Sequence, residues 1–109
     1  MNPPIVVVSD DVDVFETVSD AARNLEAVDV RKGKLRIYDR DGRPIRALIR
    51  KRLLAEVVEL EESNDLPRVD ELRDVLIRFL GVSEQTPKST LEAFSLNELL
   101  DRAMKYRTR

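Results

Sequence analysis

The chain contains no cysteine and no histidine, and these two absences remove most familiar catalytic and metal chemistry from it. Without cysteine there is no disulfide, no thiolate metal ligand and no thiol nucleophile. Without histidine the commonest general base and the commonest metal ligand are missing. Ser-His-Asp, Cys-His and histidine-containing zinc sites therefore cannot be built from these 109 residues. Oxygen-ligand sites for calcium or magnesium remain compatible with the composition.

Long apolar runs are missing as well. The first run, "IVVV" at residues 5–8, has four residues and no basic segment before it. A signal peptide needs a basic start and about 7–15 apolar residues, and a membrane-spanning helix needs about 20. We therefore expect a cytoplasmic protein without a membrane partner.

Glycine (3) and proline (5) are few, whereas 42% of the residues are hydrophobic and 37% are charged. This apolar fraction can form a core, and the length predicts a single domain over residues 1–109. The charges form blocks. Residues 1–30 carry seven acids and one base, residues 31–54 ten bases and two acids, and residues 55–109 twelve acids and eight bases. Such blocks attract one another within the fold or present opposite faces to partners.

Hydrophobic periodicity predicts strands and one short helix in the N-terminal part. Residues 12–17 alternate between apolar and polar, and with "IVVV" they predict a strand that breaks at the intervening "SDD". Ser19 is a candidate N-cap for a short helix.

The C-terminal part predicts two helices. Apolar residues at spacings of three and four indicate a helix from about Asp70 that ends at Gly81. Ser95 and Glu98 form a capping box before a last helix over residues 96–107. We expect an α+β fold: a small antiparallel sheet of three to four strands, with the short helix and the two C-terminal helices packed on it.

Asp41-Gly42 between two alternating runs predicts a β-hairpin with a type I′ turn. The strand after the turn is expected to reach about residue 50, and a third strand is expected around residues 54–61. A helix over residues 47–62 is the alternative, because this segment lacks Gly, Pro and Asn and is rich in helix-forming residues.

The same turn has a second interpretation as a calcium loop. With Gly42 at the sixth position of an EF-hand, Asp39 and Asp41 occupy positions three and five. Ile37 and Leu48 then stand where the two anchoring ligands are needed. We therefore favour the turn over the metal site.

Asp10, Asp11 and Asp13 form another acidic group, one that could bind magnesium. We favour a solvated loop before a strand, because isolated acidic runs are common at protein surfaces. The sequence therefore predicts no metal, no cofactor and no catalytic residue.

The basic stretch from Arg31 to Arg52 and the acidic run after it supply the candidate partner-binding residues. On alternating strands, Arg36, Arg46 and Arg50 would form one face, which would bind an acidic protein surface or nucleic-acid phosphates, or pair with the chain's own glutamates. We disfavour nucleic acid, because the pI is ≈ 5.3 and no glycine-rich phosphate loop is present. The candidates are Arg36, Arg40, Arg43, Arg46, Arg50, Glu56, Glu59 and Glu61.

The opening "VDVFETVSDAARNLEAVDV", the turn "YDRDGRP" and the helix "DELRDVLIRFL" together resemble a loose group of small bacterial proteins. Some members of that group look like immunity proteins, which neutralise a cognate toxin in bacterial competition. The resemblance covers about residues 12–106 and includes no catalytic motif, so it transfers no site residue. It implies a protein that acts by binding, that is not an enzyme, and in which residues 43–61 are extended.

Three hypotheses follow from these observations. The first is a non-enzymatic protein-binding module, most concretely an immunity protein whose charged faces steer association with a toxin. The second is a small nucleic-acid-associated regulator that uses residues 31–52. The third is a carboxylate-metal enzyme built on the acidic group of residues 10–13.

Overall fold

The computed structural model describes residues 1–106 and shows an α+β fold with two antiparallel sheets, as the periodicity predicts. The first sheet contains β1 (Ile5–Val8), β2 (Val12–Phe15) and β3 (Arg36–Tyr38) in the order β2-β1-β3. The predicted break at "SDD" is confirmed, because β1 and β2 are separate strands that pair with each other.

The second sheet is a hairpin of two eight-residue strands, β4 (Ile45–Arg52) and β5 (Ala55–Glu62). Arg52 is the register partner of Ala55, so a turn of two residues joins the strands. At about 3.4 Å per residue each strand is about 27 Å long. We call this element the β4–β5 hairpin.

Helices connect and cover the sheets. Between β2 and β3 lie α1 (Val18–Asn24) and α2 (Ala27–Lys32). After β5 come α3 (Val69–Ser83), α4 (Lys88–Leu91) and α5 (Leu96–Met104). The last helix is shorter than predicted, because α5 ends at Met104 and residues 105 and 106 are not helical; the predicted end at residue 107 lies outside the described residues.

The first sheet is buried on both faces, which explains the unbroken apolar run in β1. Val6 and Val8 pack against apolar residues of α3 and α5. Ile5 and Val7 point the other way and pack with Ala21 of α1 and with the base of the β4–β5 hairpin. Successive side chains of a strand alternate between the two faces of the sheet. A strand with both faces buried therefore requires an apolar residue at every position.

The predicted hairpin around Asp41-Gly42 is wrong in its pairing, although a turn forms there. The backbone N–H of Gly42 donates to the Asp39 carbonyl at 3.1 Å, and the Asp39 N–H donates to the Arg43 carbonyl at 3.0 Å. The turn is not type I′, because φ is positive at Gly42 but not at Asp41. It is a three-residue loop in which glycine takes the left-handed position.

Strand pairing does not continue beyond this turn. β3 pairs with β1, and its contact with the following segment is an isolated bridge between Tyr38 and Pro44. Pro44 has no N–H to extend a ladder, and the next residue, Ile45, already belongs to the second sheet. The expected single sheet of three to four strands is therefore divided into sheets of three and two.

The interpretation of residues 43–61 as extended is confirmed, and the alternative helix over residues 47–62 is wrong. β4 and β5 pair along their whole length. Cross-strand hydrogen bonds and side-chain pairs outweigh the helix propensity of this composition.

Helix ends were predicted with mixed success. The capping box at Ser95 and Glu98 is confirmed in both of its hydrogen bonds. The α1 cap is Thr17 rather than Ser19, since the Thr17 hydroxyl accepts from the backbone of the third helical residue at 3.0 Å. Helix α3 continues through Gly81, which is therefore not its C-cap, and α2 was not predicted.

Candidate partner interface on the β4–β5 hairpin

The two faces of the β4–β5 hairpin differ in chemistry because register partners share a face. On the inner face Ile45 and Val58 are buried, and Ala47 and Leu60 pack against the second core cluster. The opposite side, here called the outer face, faces away from this core. It consists of Arg46, Leu48, Arg50, Arg52, Ala55, Val57, Glu59 and Glu61.

Ion pairs cross the outer face, as the alternation of residue types predicted. Arg46 pairs with its register partner Glu61. Glu59 lies diagonally across from Arg50, whose Nε donates to it at 3.1 Å, and it also accepts from Arg52. The hydrogen bonds from Arg52 and Arg50 lower the pKa of Glu59 below its ordinary value. Three arginines and two glutamates leave the outer face with a net charge of +1.

These pairs are exposed, so they contribute little to folding. The arginines of the outer face keep 54–67% of their side-chain surface in water. Ion pairs of this kind contribute about 0–1 kcal/mol each to stability. The pairs also separate the charges by strand, since the arginines lie on β4 and the glutamates on β5, beside the half-buried Leu48 and Val57.

Glu56 lies at the distal end of the inner face and binds the neighbouring helix. Its carboxylate accepts a hydrogen bond from Arg31 of α2, and this bond lowers the pKa of Glu56. The predicted residue is therefore used to attach the hairpin to α2.

Arg36 is not on the same face as Arg46 and Arg50, which corrects the prediction from sequence. It lies on β3, in the other sheet, with its guanidinium 3.8 Å from the Glu71 carboxylate of α3. Glu71 also accepts from the hydroxyl of Tyr38. Burial, followed by this hydrogen bond, raises the pKa of Tyr38 to about 12.

Arg40 and Arg43 lie at the turn, as predicted, but they are separated from the outer face. The Arg40 Nε donates to the Pro3 carbonyl at 2.9 Å, which attaches the N-terminal segment to the turn. The backbone N–H of Arg43 donates to the Asp39 carboxylate at 3.0 Å. Of the eight predicted residues, the outer face thus collects Arg46, Arg50, Glu59 and Glu61.

The aspartates that suggested metal sites have other contacts. Asp39 is 2% exposed, and its carboxylate accepts from the backbone N–H groups of Asp41 and Arg43 at 2.9 and 3.0 Å. Asp10 and Asp11 line an open groove of about 400 Å³ beside α3, together with Arg36 and Arg78. Among residues 1–106, no group of three or more acidic side chains is arranged to hold a metal ion.

Sequence reasoning missed the tip of the hairpin. Leu53 and Leu54 form the two-residue turn and are 98% and 100% exposed. Leu53 has φ = 56°, a left-handed conformation that non-glycine residues seldom adopt. No turn-forming residue marks this position, and the signal that could have revealed it is a pair of leucines between two alternating runs.

The fold and the outer face together define a small α+β protein with a projecting hairpin. Comparison with known protein families, curated proteins and solved structures finds no match for the chain. No helix within the described part of the chain is both long and apolar enough to cross a membrane.

Proposed function

We propose that this protein is a non-enzymatic protein-binding module whose outer face binds a protein partner. In its most concrete form, the proposal is an immunity protein that neutralises a cognate bacterial toxin by direct binding. The observation that supports binding is the exposed row of arginines on β4 beside a row of glutamates on β5, ion pairs that contribute little to stability. Such patterns accelerate association and select partners whose charges are complementary.

Nucleic acid is a weaker candidate for the same segment. Half of the ten cations between residues 31 and 52 already lie in ion pairs with the chain's own carboxylates: Arg31, Arg36, Arg46, Arg50 and Arg52. Binding of phosphates by these groups would require the pairs to break. A fluorescence titration with duplex and single-stranded DNA should therefore show at most weak binding at low salt, which is lost as the salt concentration rises.

A charge swap tests the outer face without removing an ion pair. R46E combined with E61R keeps a cross-strand pair and the net charge, so stability should change by less than about 0.5 kcal/mol. The double substitution does, however, exchange the positions of the positive and negative charges that the partner would contact. We expect at least a tenfold loss of affinity, because like charges across an interface cost about 1.4 kcal/mol or more.

The matched control is D74R combined with R78E, which reverses two exposed charges one turn apart on α3. Chemical cross-linking in the source cells, followed by mass spectrometry, identifies the partner, and binding is then measured with the purified protein. Equal affinities of the two swapped variants would contradict the assignment of the outer face.

The neutralising role has its own test. Cells that express the partner should survive when the unaltered chain is co-expressed and should lose that protection with R46E/E61R. A toxin gene next to the gene for this chain would support the role. If the partner binds but is harmless when it is expressed alone, the protein-binding role is retained and the toxin-neutralising role is contradicted.

A further inference from the structure

The tip of the β4–β5 hairpin is the most exposed apolar feature among the described residues. Leu53 and Leu54 are exposed over 98% and 100% of their surface. All residues from 50 to 56 are exposed, so the distal end of the hairpin extends beyond the part that packs on the core. We call residues 50–56 the hairpin tip.

Local structure gives no reason for leucine at this turn. A two-residue hairpin turn with positive φ favours Gly, Asn or Asp, which adopt that conformation at low cost. Leu53 instead has φ = 56°, and neither leucine gains from burial within this chain. Two adjacent exposed leucines, one of them with an unfavourable backbone conformation, indicate a contact with something outside the molecule.

The charges around the leucines are mostly positive. Arg50, Lys51 and Arg52 come directly before them. Glu59 accepts from Arg50 and Arg52. The three cations and this one carboxylate together carry a net charge of +2. Glu56, opposite Lys51, is matched by Arg31 and adds no net charge.

We propose that the hairpin tip inserts into the surface of an anionic lipid bilayer. The tip is convex and narrow, and its two leucines can enter the acyl region without a preformed pocket. The three cations lie one to four residues from the leucines, within about 14 Å along the strand, where lipid phosphates surround an element buried by about 5–10 Å. Arg50 and Arg52 share the single carboxylate of Glu59. With Lys51, the three cations therefore keep an excess positive charge that attracts anionic headgroups without breaking the ion pairs, while the leucines leave water.

The proposal does not rest on the toxin-neutralising role, although the hairpin tip shares Arg50, Arg52 and Ala55 with the outer face. It departs from the expectation, made from the sequence, that the chain has no membrane partner. That expectation considered only segments long enough to span a bilayer, whereas a hairpin tip needs two exposed apolar residues and neighbouring cations.

The chain contains no tryptophan, so one introduced at the tip reports insertion without background from other tryptophans. L54W is titrated at low salt with vesicles of phosphatidylcholine and phosphatidylglycerol, and with vesicles of phosphatidylcholine alone. We expect its fluorescence to shift to shorter wavelength with the anionic vesicles and to change less with the neutral ones. L66W is the control, because Leu66 is 83% exposed but lies beyond the base of the hairpin.

Serine variants test the contribution of the leucines to binding. L53S/L54S should reduce co-sedimentation with anionic vesicles about 100-fold, since two leucine side chains no longer leave water. L66S should leave binding unchanged. K51E should weaken binding about tenfold or more and reduce its dependence on salt. Circular dichroism should show that all three variants fold, because the substituted residues are exposed.

Three results would overturn the proposal: no binding of the unaltered protein to anionic vesicles at low salt, equal binding by L53S/L54S, or a spectral shift in L66W rather than L54W. If vesicles do not bind but a cross-linked protein partner is lost with L53S/L54S, the tip is an anchor for a protein pocket and the lipid proposal is wrong.

Discussion

At the scale of single residues, Gly42 of the Asp41-Gly42 turn is required for two reasons, one local and one tertiary. Gly42 has φ = 81°, which already favours glycine. In addition, a Cβ at this position would lie 3.0 Å from the Cα and N atoms of Val69, at the start of α3. The sequence predicts the turn, but the close approach of α3 is visible only in the folded chain.

A pair of alanine substitutions separates the two requirements. Gly33 also has positive φ (68°), but no atom lies within 4 Å of its hypothetical Cβ. G33A should therefore lower the free energy of unfolding by about 1 kcal/mol, the cost of the left-handed conformation. G42A should lower it by about 3 kcal/mol or more, because backbone must also shift. Urea denaturation of both variants measures this, and equal losses would contradict the role of the contact with Val69.

At the scale of elements, local patterns predicted what local interactions determine. The Ser95 capping box needs only four consecutive residues, and it forms as predicted. Strand pairing depends instead on distant segments. β3 finds β1 about 30 residues earlier, and β4 pairs with the strand that follows it. The outer face was therefore predicted in part: Arg46, Arg50, Glu59 and Glu61 are together, and Arg36 belongs to another sheet.

The turn of the β4–β5 hairpin is expected to become more stable when Leu53 is replaced. Asn tolerates positive φ better than leucine, so L53N should raise the free energy of unfolding by about 0.5–1 kcal/mol. Leu54 is equally exposed but does not have positive φ, so L54N should have little effect. Thermal and urea unfolding of the two variants provide the comparison. A gain from L54N as large as that from L53N would show that removal of an apolar group, and not backbone conformation, is responsible.

At the scale of the whole molecule, the charge blocks attract one another within the fold. Cations of residues 31–54 pair with acids that follow them: Arg31 with Glu56, Arg46 with Glu61, and Arg36 with Glu71. The +8 and −4 balances of the two segments are thus partly neutralised in the folded state. The basic stretch is, for this reason, less available to phosphates than its sequence indicates.

Stability should depend on pH in the acid range. The pKa values of Glu56 and Glu59 are lowered below 4.5 by hydrogen bonds from Arg31 and from Arg52 and Arg50. Near and below pH 4.5 the unfolded chain therefore binds more protons than the folded one, so stability falls as pH falls through that range. Urea unfolding between neutral pH and pH 3 measures the effect. E59Q should lose less stability on acidification than the unaltered protein, and an identical loss would contradict this origin.

The sequence by itself determined the class of structure and the chemistry that the chain cannot perform. Missing residue types exclude sites outright, and periodicity and caps act over a few neighbouring residues. Only the tertiary structure decided which strands pair, that β1 is buried on both faces, and that Leu53 and Leu54 project into solvent. These features depend on contacts between distant segments. Two adjacent leucines favour a core position on sequence grounds, and only the fold shows that they are not covered by any described residue.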